Sequence, residues 1–360
     1  MSTPTRQERM LEIVQNARAK PARFRDATIT SAHGAGGKAS QSLIEGLLLP
    51  ALGNDALAEL GDAGIVDLDG AALALTTDSY VVRPIRFPGG SIGELAVNGT
   101  VNDLAVSGAR ALALTLSLVL EEGLSSAELR LEVDAIARTA QVAGVRIVAG
   151  DTKVVERGHA DGMYICTSGL GAIDPRAKLS PSGARVGDRI LVSGQIGDHG
   201  MAVMLARNEF ALEAEIRSDT RSLWPAVDAL LDAAGSGVHC MRDATRGGVA
   251  SALNEIARAS GVAALVREAD VPVAPPVAAA AELLGIDPMY VASEGQMVAF
   301  VEPACAPAAL AALRGSAGCE GAVEIGEVLG EPPGMVLVDT TFGGRRVMDL
   351  LAGDPLPRIC

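Results

Sequence analysis

The last residue of this 360-residue chain could do chemistry, because Cys360 places a thiol beside the free C-terminal carboxylate. Pro355 and Pro357 precede it and restrict the backbone, which lowers the entropy lost when a terminal segment docks. Residues 354–360 reach about 20–25 Å when extended, which is long enough to carry a sulfur into a pocket and out again. Chain ends are commonly disordered. The tail by itself therefore leaves two interpretations open, a thiol that docks or a frayed end that finishes in cysteine.

Four aspartates are placed where they could bind metal ions. Asp62, Asp78, Asp103 and Asp151 lie at predicted strand ends, in turns or beside a polar helix face. A single aspartate in such a place is most often a turn or cap residue. Four of them near glycines and a lysine indicate a cluster for divalent cations, because packed carboxylates without cations repel one another. Their oxygen atoms suit Mg²⁺, which is typically shared with substrate phosphates.

Two glycine-rich loops could present backbone N–H groups to phosphate. The first, residues 31–38, precedes a helix predicted over 40–49, and the second, residues 241–248, precedes another helix. The first loop is not a Walker A motif, because Ala39 stands where serine or threonine should follow Lys38. Simple turn chemistry is the commoner reason for glycine, so the loops alone identify no reaction.

The composition excludes several classes of protein. A formal net charge of −14 argues against nucleic acid or an anionic membrane surface as the partner. No segment is apolar for long enough to span a membrane, and the basic residues 1–26 lack the apolar region of a signal peptide. The five cysteines form no C-x-x-C pair, which argues against a disulfide framework or a zinc site and for a reducing compartment. We therefore expect a cytoplasmic protein.

Helical and strand patterns alternate in both halves of the chain, which favours an α/β enzyme of the α+β type. The pattern predicts a mobile leader (1–27), an N-terminal α/β domain (28–174), a C-terminal α/β domain (175–340) and a tail (341–360). In the second domain, residues 219–233 are amphipathic. Both domains carry strands, a glycine-rich loop and helices, a combination that supports an α/β enzyme without identifying its reaction.

The elements of the first domain must position the polar side chains. A helix predicted over 92–107 carries Asn102 on a polar face, with Asp103 beside it. A short buried strand predicted over 145–148 leads directly into the turn that holds Asp151. These placements are the basis for expecting the four aspartates in one cluster.

Seven motifs carry a family resemblance. They are HGAGGK (33–38), TDSYVV (77–82), VNDLA (101–105), GDTK (150–153), DATRGG (243–248), EG (294–295) and PRIC (357–360). Together they resemble the HypE family of nickel–iron hydrogenase maturation proteins, in the group that includes aminoimidazole ribonucleotide synthase, selenophosphate synthetase and thiamine-monophosphate kinase. The aspartate motifs are shared across that group and point to ATP, whereas the terminal PRIC is specific to the HypE branch. The match covers residues 28–360.

The resemblance implies a two-domain fold like that of aminoimidazole ribonucleotide synthase, with a flexible C-terminal tail. It implies a homodimer that pairs through the N-terminal domains, with ATP and Mg²⁺ bound between the two domains. The residues it assigns to the nucleotide are Gly36, Gly37, Lys38, Asp78, Asn102 and Asp151. Those it assigns to Mg²⁺ are Asp62, Asp78, Asp103 and Asp151.

The resemblance also implies an activity. A HypF-type carbamoyltransferase would place a carbamoyl group on Cys360, and the protein would use ATP to dehydrate this S-carboxamide to an S-cyanide, or thiocyanate. The cyanide would then pass to iron held by a HypC–HypD complex. An amide oxygen is a poor leaving group until it is phosphorylated, and Mg²⁺ would neutralise charge in that transfer. By resemblance, Glu294 is the general base for the carboxamide protons, and Lys153 orients the carboxamide or the phosphate.

Two other functions would use some of the same features. A relative that acts as a kinase or synthetase on a small molecule would need the ATP site but not Cys360. A carrier of metal or sulfur would use Cys360 with His33 or His199. Such a carrier would need neither the aspartates nor ATP.

The thiol is expected to work only at the end of the chain. Residues added after Cys360 should abolish cyanation and spare ATP binding, because the extension would take unpaired backbone polar groups into the pocket, which is costly. Intact mass and ATP affinity, measured on the wild type and an extended variant, check this prediction. Unimpaired cyanation of the extended protein would contradict it.

Overall fold

The structure is a computed structural model that describes residues 23–207, 215–351, 353 and 358–360. Most of the predicted leader, together with Pro355 and Pro357 of the tail, lies outside the described residues. Within the described chain, no helix combines the length and the apolar character needed to cross a membrane.

Strands and helices alternate along the described chain. The strands are β1 (Gly64–Leu68), β2 (Ala71–Tyr80), β3 (Arg86–Phe87), β4 (Gly90–Ser91), β5 (Ala109–Glu121), β6 (Arg146–Val155), β7 (Met163–Ile173), β8 (Arg189–Val192), β9 (Val238–Asp243), β10 (Ala263–Arg267), β11 (Met297–Val301), β12 (Val323–Leu329), β13 (Met335–Asp339) and β14 (Arg345–Met348). The α-helices are α1 (Lys38–Leu43), α2 (Leu49–Leu52), α3 (Asp55–Ala58), α4 (Ile92–Val106), α5 (Ser126–Ala143), α6 (Asp198–Ala206), α7 (Trp224–Ala234), α8 (Gly248–Ser260), α9 (Pro275–Leu284) and α10 (Ala306–Arg314). The predicted mixed α/β class is confirmed.

The first unit is a five-stranded sheet in the order β1-β2-β7-β5-β6. β5 and β6 are parallel, and the other neighbouring strands are antiparallel. The apolar helix α4 packs on one face of this sheet, where Thr76 hydrogen-bonds to Asp103 and Tyr80 to Thr100. Side chains alternate along a strand, so Asp78 lies on the same face of β2 as these two residues. The sheet and α4 together therefore hold Asp78 and Asp103 on one side.

The second unit is a seven-stranded sheet in the order β14-β13-β10-β12-β8-β11-β9. Its central strands are strongly apolar, and every residue of β11 is buried. The amphipathic helix α8 packs across β9, β10, β11 and β13. Because β9 ends at Asp243 and α8 begins at Gly248, the second glycine-rich loop is fixed between two packed elements.

The two units are tied together at α4. The buried Asn102 donates to the backbone oxygens of Arg221 (2.9 Å) and Glu294 (3.2 Å) and accepts from the N–H of Leu223 (2.7 Å). We expected Asn102 to bind the nucleotide. The structure uses it instead to join the units, because three of its hydrogen-bonding positions are taken by backbone groups of the second unit.

The strand that carries Asp151 is longer than predicted. A turn was expected at Gly150, but β6 continues beside β5, with Ser117 opposite Asp151 and Val119 opposite Lys153. The parallel ladder keeps this segment extended even though it contains a glycine. Asp151 is therefore held within an edge strand and not at a strand end.

Two further segments differ from the sequence prediction. Residues 345–348 were assigned to the tail, but β14 pairs with β13 and belongs to the second sheet. The amphipathic segment forms a helix only from Trp224, so the residues before it, 215–223, make an irregular connection. This connection crosses between the two units and includes Asp219.

Candidate active site

Two cavities adjoin one another between the two units. The larger has a volume of about 280 Å³ and the smaller about 30 Å³. Both are lined by Asp78, Asp103, Asp243, Thr245 and Arg246. Three carboxylates therefore lie where the cavities meet, so a group held in one cavity would be next to a group held in the other.

Carboxylates from both units form a tight cluster at this junction. Asp62, Asp103 and Asp243 offer oxygen atoms that all lie within 4.8 Å of one another. Burial raises the pKa of Asp62 to about 6, although Arg242 lies 3.2 Å from its carboxylate. Burial and the neighbouring carboxylates raise the pKa values of Asp103 and Asp243 well above their ordinary range. A bound cation would relieve this repulsion.

The cluster differs from the predicted one by one member. Asp243, at the end of β9, joins Asp62 and Asp103, with Asp78 beside them, whereas Asp151 does not. The side chain of Asp151 is 62% exposed and forms a 2.5 Å ion pair with Lys153, which lowers the Asp151 pKa. Asp243 carries the signal that identified the others, an aspartate at a strand end before glycines, so the sequence could have identified it.

The first glycine-rich loop lines the larger cavity through Gly36. Gly36 has φ +72°, and a Cβ there would lie 2.8 Å from the backbone oxygen of Arg246. Glycine is therefore needed for this loop to approach the second unit. His33 also lines the cavity, but its ring is engaged with the Asp26 carboxylate (3.0 Å) and the Thr30 N–H (3.0 Å). His33 therefore stabilises the loop, and its occupied ring nitrogens do not support the hypothesis of a metal carrier that uses this histidine.

The rest of the predicted phosphate loop faces another part of the chain. Lys38 donates its backbone N–H to the oxygen of Leu351 (2.8 Å) and pairs its ammonium group with Asp349 (2.8 Å). A Cβ on Gly37 would lie 2.4 Å from the same Leu351 oxygen. We expected Gly37 and Lys38 to bind phosphate. In the structure neither lines either of these two cavities, because the segment after β14 crosses over them.

The terminal thiol lies in the smaller cavity. The end of the chain runs beside the residues that follow β2, where the N–H of Val81 donates to Cys360 O (3.1 Å) and the N–H of Arg83 to Arg358 O (3.2 Å). Between them, Ile359 is 5% exposed and packs into the apolar core of the first unit. The structure therefore describes a docked tail and not a frayed end.

The environment of Cys360 disfavours its thiolate. Burial, followed by the negative charge of Glu294, raises the pKa of the thiol far above its ordinary value. The docked thiol is thus protonated at neutral pH, and a protonated thiol is a poor nucleophile. The docked position suits a sulfur that already carries a group better than a sulfur that must still attack one.

Glu294 lines the same small cavity, and one of its two carboxyl oxygens is available to a ligand. It is 3% exposed, and within the described chain its Oε1 has no hydrogen-bond partner. Burial, and then the charges of Asp243 and Asp219, raise its pKa well above the ordinary range. A carboxyl group with a raised pKa that lines the same cavity as Cys360 is suited to exchange protons with a group on the sulfur.

Comparisons with known proteins agree over most of the chain. The model of the AIR synthase related protein, N-terminal domain, matches residues 60–173, and that of the C-terminal domain matches residues 185–339. Carbamoyl dehydratase HypE of Bradyrhizobium diazoefficiens is 48% identical over 337 residues, which cover 94% of this chain and 97% of that protein.

Solved structures give the same relationship. A structure of the HypE–HypF complex matches with a TM-score of 0.81 at 42% identity, covering 86% of this chain and 99% of that chain. A structure of the hydrogenase maturation protein HypE in complex with ATP matches with a TM-score of 0.77 at 44% identity, covering 91% and 98%.

Removing one charge from the acidic cluster should stabilise the protein when no divalent cation is present. In Asp103→Asn the amide oxygen can still accept from Thr76, whereas the repulsion is reduced, so we expect the Tm at pH 7.5 to rise by a few degrees. A folded-state pKa above the unfolded value also means that the wild type gains stability as pH falls toward that of the unfolded carboxyl. The variant should show less of this gain.

Asp174→Asn is the matched control, because a hydrogen bond from Arg176 lowers the Asp174 pKa to about 2. In the wild type, the ionised Asp174 carboxyl stabilises the folded protein above the pKa of the unfolded carboxyl, and this stabilisation is lost as pH falls toward 2. The control should therefore lower the Tm at pH 7.5. Thermal unfolding in chelator-treated buffer measures both variants, and a lower Tm for Asp103→Asn would contradict the repulsion argument.

Proposed function

Because this chain belongs to the HypE family of carbamoyl dehydratases, we propose that it dehydrates an S-carbamoyl group on its own Cys360 with ATP. The product is an S-cyanide, a thiocyanate, which supplies the cyanide ligands for the iron of nickel–iron hydrogenase. The enzyme is an ATP-dependent dehydratase of hydrogenase maturation. The cysteine, the thiocyanate and the path of the cyanide are the specific content of the proposal.

One observation carries this proposal: the C-terminal thiol is docked in a small cavity that adjoins the larger, acidic one. The smaller space, about 30 Å³, exceeds the roughly 10–15 Å³ that a single water requires. It has room for a group of a few atoms on the sulfur and not for a separate metabolite. The larger space, about 280 Å³, approaches the roughly 300–1,000 Å³ of small-molecule sites.

The reaction has a simple atom balance. The substrate is the group S–C(=O)–NH₂ on Cys360. Its carbonyl oxygen accepts the γ-phosphoryl group of ATP and leaves as phosphate, both nitrogen protons are removed, and S–C≡N and ADP remain. The adjoining cavities would place the phosphoryl group and the carbonyl oxygen next to each other, which avoids a diffusional encounter.

Glu294 is the proposed proton acceptor. Its partnerless Oε1 lines the cavity that holds the sulfur, so the nitrogen of a group on Cys360 would lie near it. Burial raises the pKa of Glu294 well above its ordinary range, which makes its carboxylate a stronger base than an exposed glutamate. Arg246 lines the same cavity and its positive charge favours the ionised form of this carboxyl, which is the form that can take a proton.

The acidic cluster fits a divalent cation. Asp62, Asp103 and Asp243 provide the hard oxygen donors that Mg²⁺ prefers. Their pKa values are raised by burial and then by neighbouring carboxylates, and a cation would offset both effects. Asp78, between the two cavities, is the fourth candidate. When bound, Mg²⁺ would neutralise charge on the phosphates of ATP.

A homodimer is part of the proposal, and the first sheet supports it. Strand β6 is exposed along almost its whole length, with Val148 and Val154 60% and 67% exposed, and Leu75 of β2 is 49% exposed. An apolar sheet edge of this kind requires a cover. Asp151 and Lys153 lie on this strand and line neither of the two cavities described above. We place them at the site of the second copy, where Lys153 would orient the carboxamide or the phosphate.

The partners follow from the state of the thiol. Carbamoylation needs a thiolate, which the docked position disfavours. The tail would therefore leave the cavity to receive the carbamoyl group from a HypF-type carbamoyltransferase, return for dehydration, and leave again to deliver cyanide to a HypC–HypD complex. We propose the cytoplasm as the location of these steps.

Intact mass of the purified protein tests the reaction. After incubation with a carbamoylating partner, the wild type should gain one carbamoyl group, and addition of ATP should then remove one water. Cys360→Ala should show neither change, whereas Cys166→Ala, which removes another partly exposed cysteine, should behave as the wild type. Glu294→Gln should accept the carbamoyl group but lose water about 10²–10⁴-fold more slowly.

No adduct with a partner of demonstrated activity, or the same adduct on Cys360→Ala, would overturn the proposal. A kinase or synthetase that acts on a small molecule with the same ATP site would then be the better interpretation.

The dimer is tested by mass in solution. Light scattering should give about twice the 36.7 kDa of one chain for the wild type, and Val148→Glu should shift the protein toward monomer, because a charge is costly to bury in an apolar interface. Val186→Glu is the control, since Val186 is 65% exposed and lies outside the first sheet. A monomeric wild type at micromolar concentration would exclude this interface.

A further inference from the structure

We propose that His199 is the positioning residue that recognises the docked tail, and that Ser218 and Asp219 connect it to Glu294. This inference rests on the proposed function, in which the group on Cys360 reacts only in the docked position. It assigns a role to a histidine that touches neither the sulfur nor the acidic cluster.

The contact between His199 and the tail is direct and buried. His199 lies on α6 and is 0% exposed, and its Nε2 is 2.6 Å from the backbone oxygen of Ile359, the residue before Cys360. A carbonyl oxygen can only accept a hydrogen bond. The Nε2 atom therefore carries the proton and donates to the tail.

The surroundings fix this tautomer of the ring. Nδ1 lies 2.8 Å from Ser218 Oγ, and that oxygen also accepts from the N–H of Thr220 at 3.2 Å, so the hydroxyl proton is directed at Nδ1. The ring of Phe87 packs edge-on against the imidazole, with the centroids 5.3 Å apart. Burial lowers the pKa of His199 to about 4, so the imidazole is neutral at physiological pH. The neutral ring therefore presents its Nε2–H as a donor to the Ile359 carbonyl.

Asp219, the residue after Ser218, binds the backbone of Glu294, the proposed base. The carboxylate of Asp219 accepts from the N–H groups of Glu294 (3.0 Å) and Gly295 (3.2 Å). Arg221 adds a bond from Nε to Gly295 O at 2.9 Å. A single short connection therefore contacts the tail through His199 and fixes the peptide that carries Glu294.

His199 favours the docked tail because its hydrogen bond to Ile359 is lost when the tail leaves the cavity. The Nε2–H of His199 would then be a buried donor without its acceptor, which disfavours undocking unless water replaces the carbonyl. The other side chains that hold the tail are more exposed: Arg207 donates to Arg358 O at 2.7 Å, and Arg358 pairs with Asp161 at 2.7 Å. His199 is thus placed to set the depth of the residue next to Cys360.

The test measures alkylation of Cys360 by iodoacetamide in the full-length protein, without ATP or a partner. The docked Cys360 is only partly exposed and lines the small cavity beside Glu294, so it should alkylate more slowly than a thiol on an undocked tail. An increase in the alkylation rate therefore reports a larger fraction of undocked tail. His199→Leu, which removes the donor, should alkylate about five- to tenfold faster than the wild type. His199→Gln keeps an N–H near the Nε2 position and should stay within about twofold of the wild type.

Two other cysteines report whether each variant is folded. Cys240 and Cys319 are 1% and 0% exposed and should remain unmodified. A His199→Leu protein that is alkylated at Cys240 or Cys319 is unfolded. The Cys360 alkylation rate of Ser218→Ala then tests the proposal, because this variant keeps the imidazole and removes only the hydroxyl that fixes its tautomer. Wild-type rates at Cys360 in both variants, with Cys240 and Cys319 protected, would overturn the proposal.

A second measurement tests the link to Glu294. In single-turnover dehydration of carbamoylated protein, His199→Leu should lose water more slowly, with the ATP concentration for half-maximal rate unchanged and with rescue by His199→Gln. A shifted ATP dependence would instead mean a general disturbance of the nucleotide cavity and would overturn the coupling. The alkylation result needs no dehydration, so failure of the proposed reaction and failure of this inference are distinguishable.

Discussion

Repulsion between buried carboxylates is the constraint on which this site depends. Asp62, Asp78 and Asp103 come from the first unit, and Asp243 and Glu294 come from the second. Burial and the neighbouring carboxylates raise most of these pKa values, because negative charge is destabilising in this place. The contact between the units brings these carboxylates together. Asn102 fixes that contact through its hydrogen bonds to the second unit and lines neither of the two cavities.

The terminal cysteine is held in this place by two backbone hydrogen bonds. Val81 and Arg83 offer the backbone N–H groups that follow β2, and the tail accepts them with the oxygens of Cys360 and Arg358. These bonds fix the position of the tail, and the burial of Ile359 adds apolar contact. The burial that accompanies docking also raises the pKa of the Cys360 thiol, which disfavours its thiolate.

The connection 215–223 unites these features. It is irregular, it runs between the two units, and its side chains reach both the tail, through Ser218 and His199, and the peptide that carries Glu294, through Asp219. A segment without regular structure can satisfy such scattered groups, since its backbone is not committed to a helix or a ladder. The end of the tail and the peptide that carries Glu294 are therefore both contacted by this one connection.

The sequence by itself determined the fold class, the family and most residues of the acidic cluster, because Asp62, Asp78 and Asp103 follow local rules of strand ends and helix faces. It could not place Asp151, since the length of β6 is set by pairing with β5 and not by its own glycine. It could not show that Lys38 is covered by Leu351 or that Asn102 joins the units, because these partners are more than a hundred residues away. Local patterns decide what a segment can form, whereas burial and long-range hydrogen bonds decide which side chains are left free for chemistry.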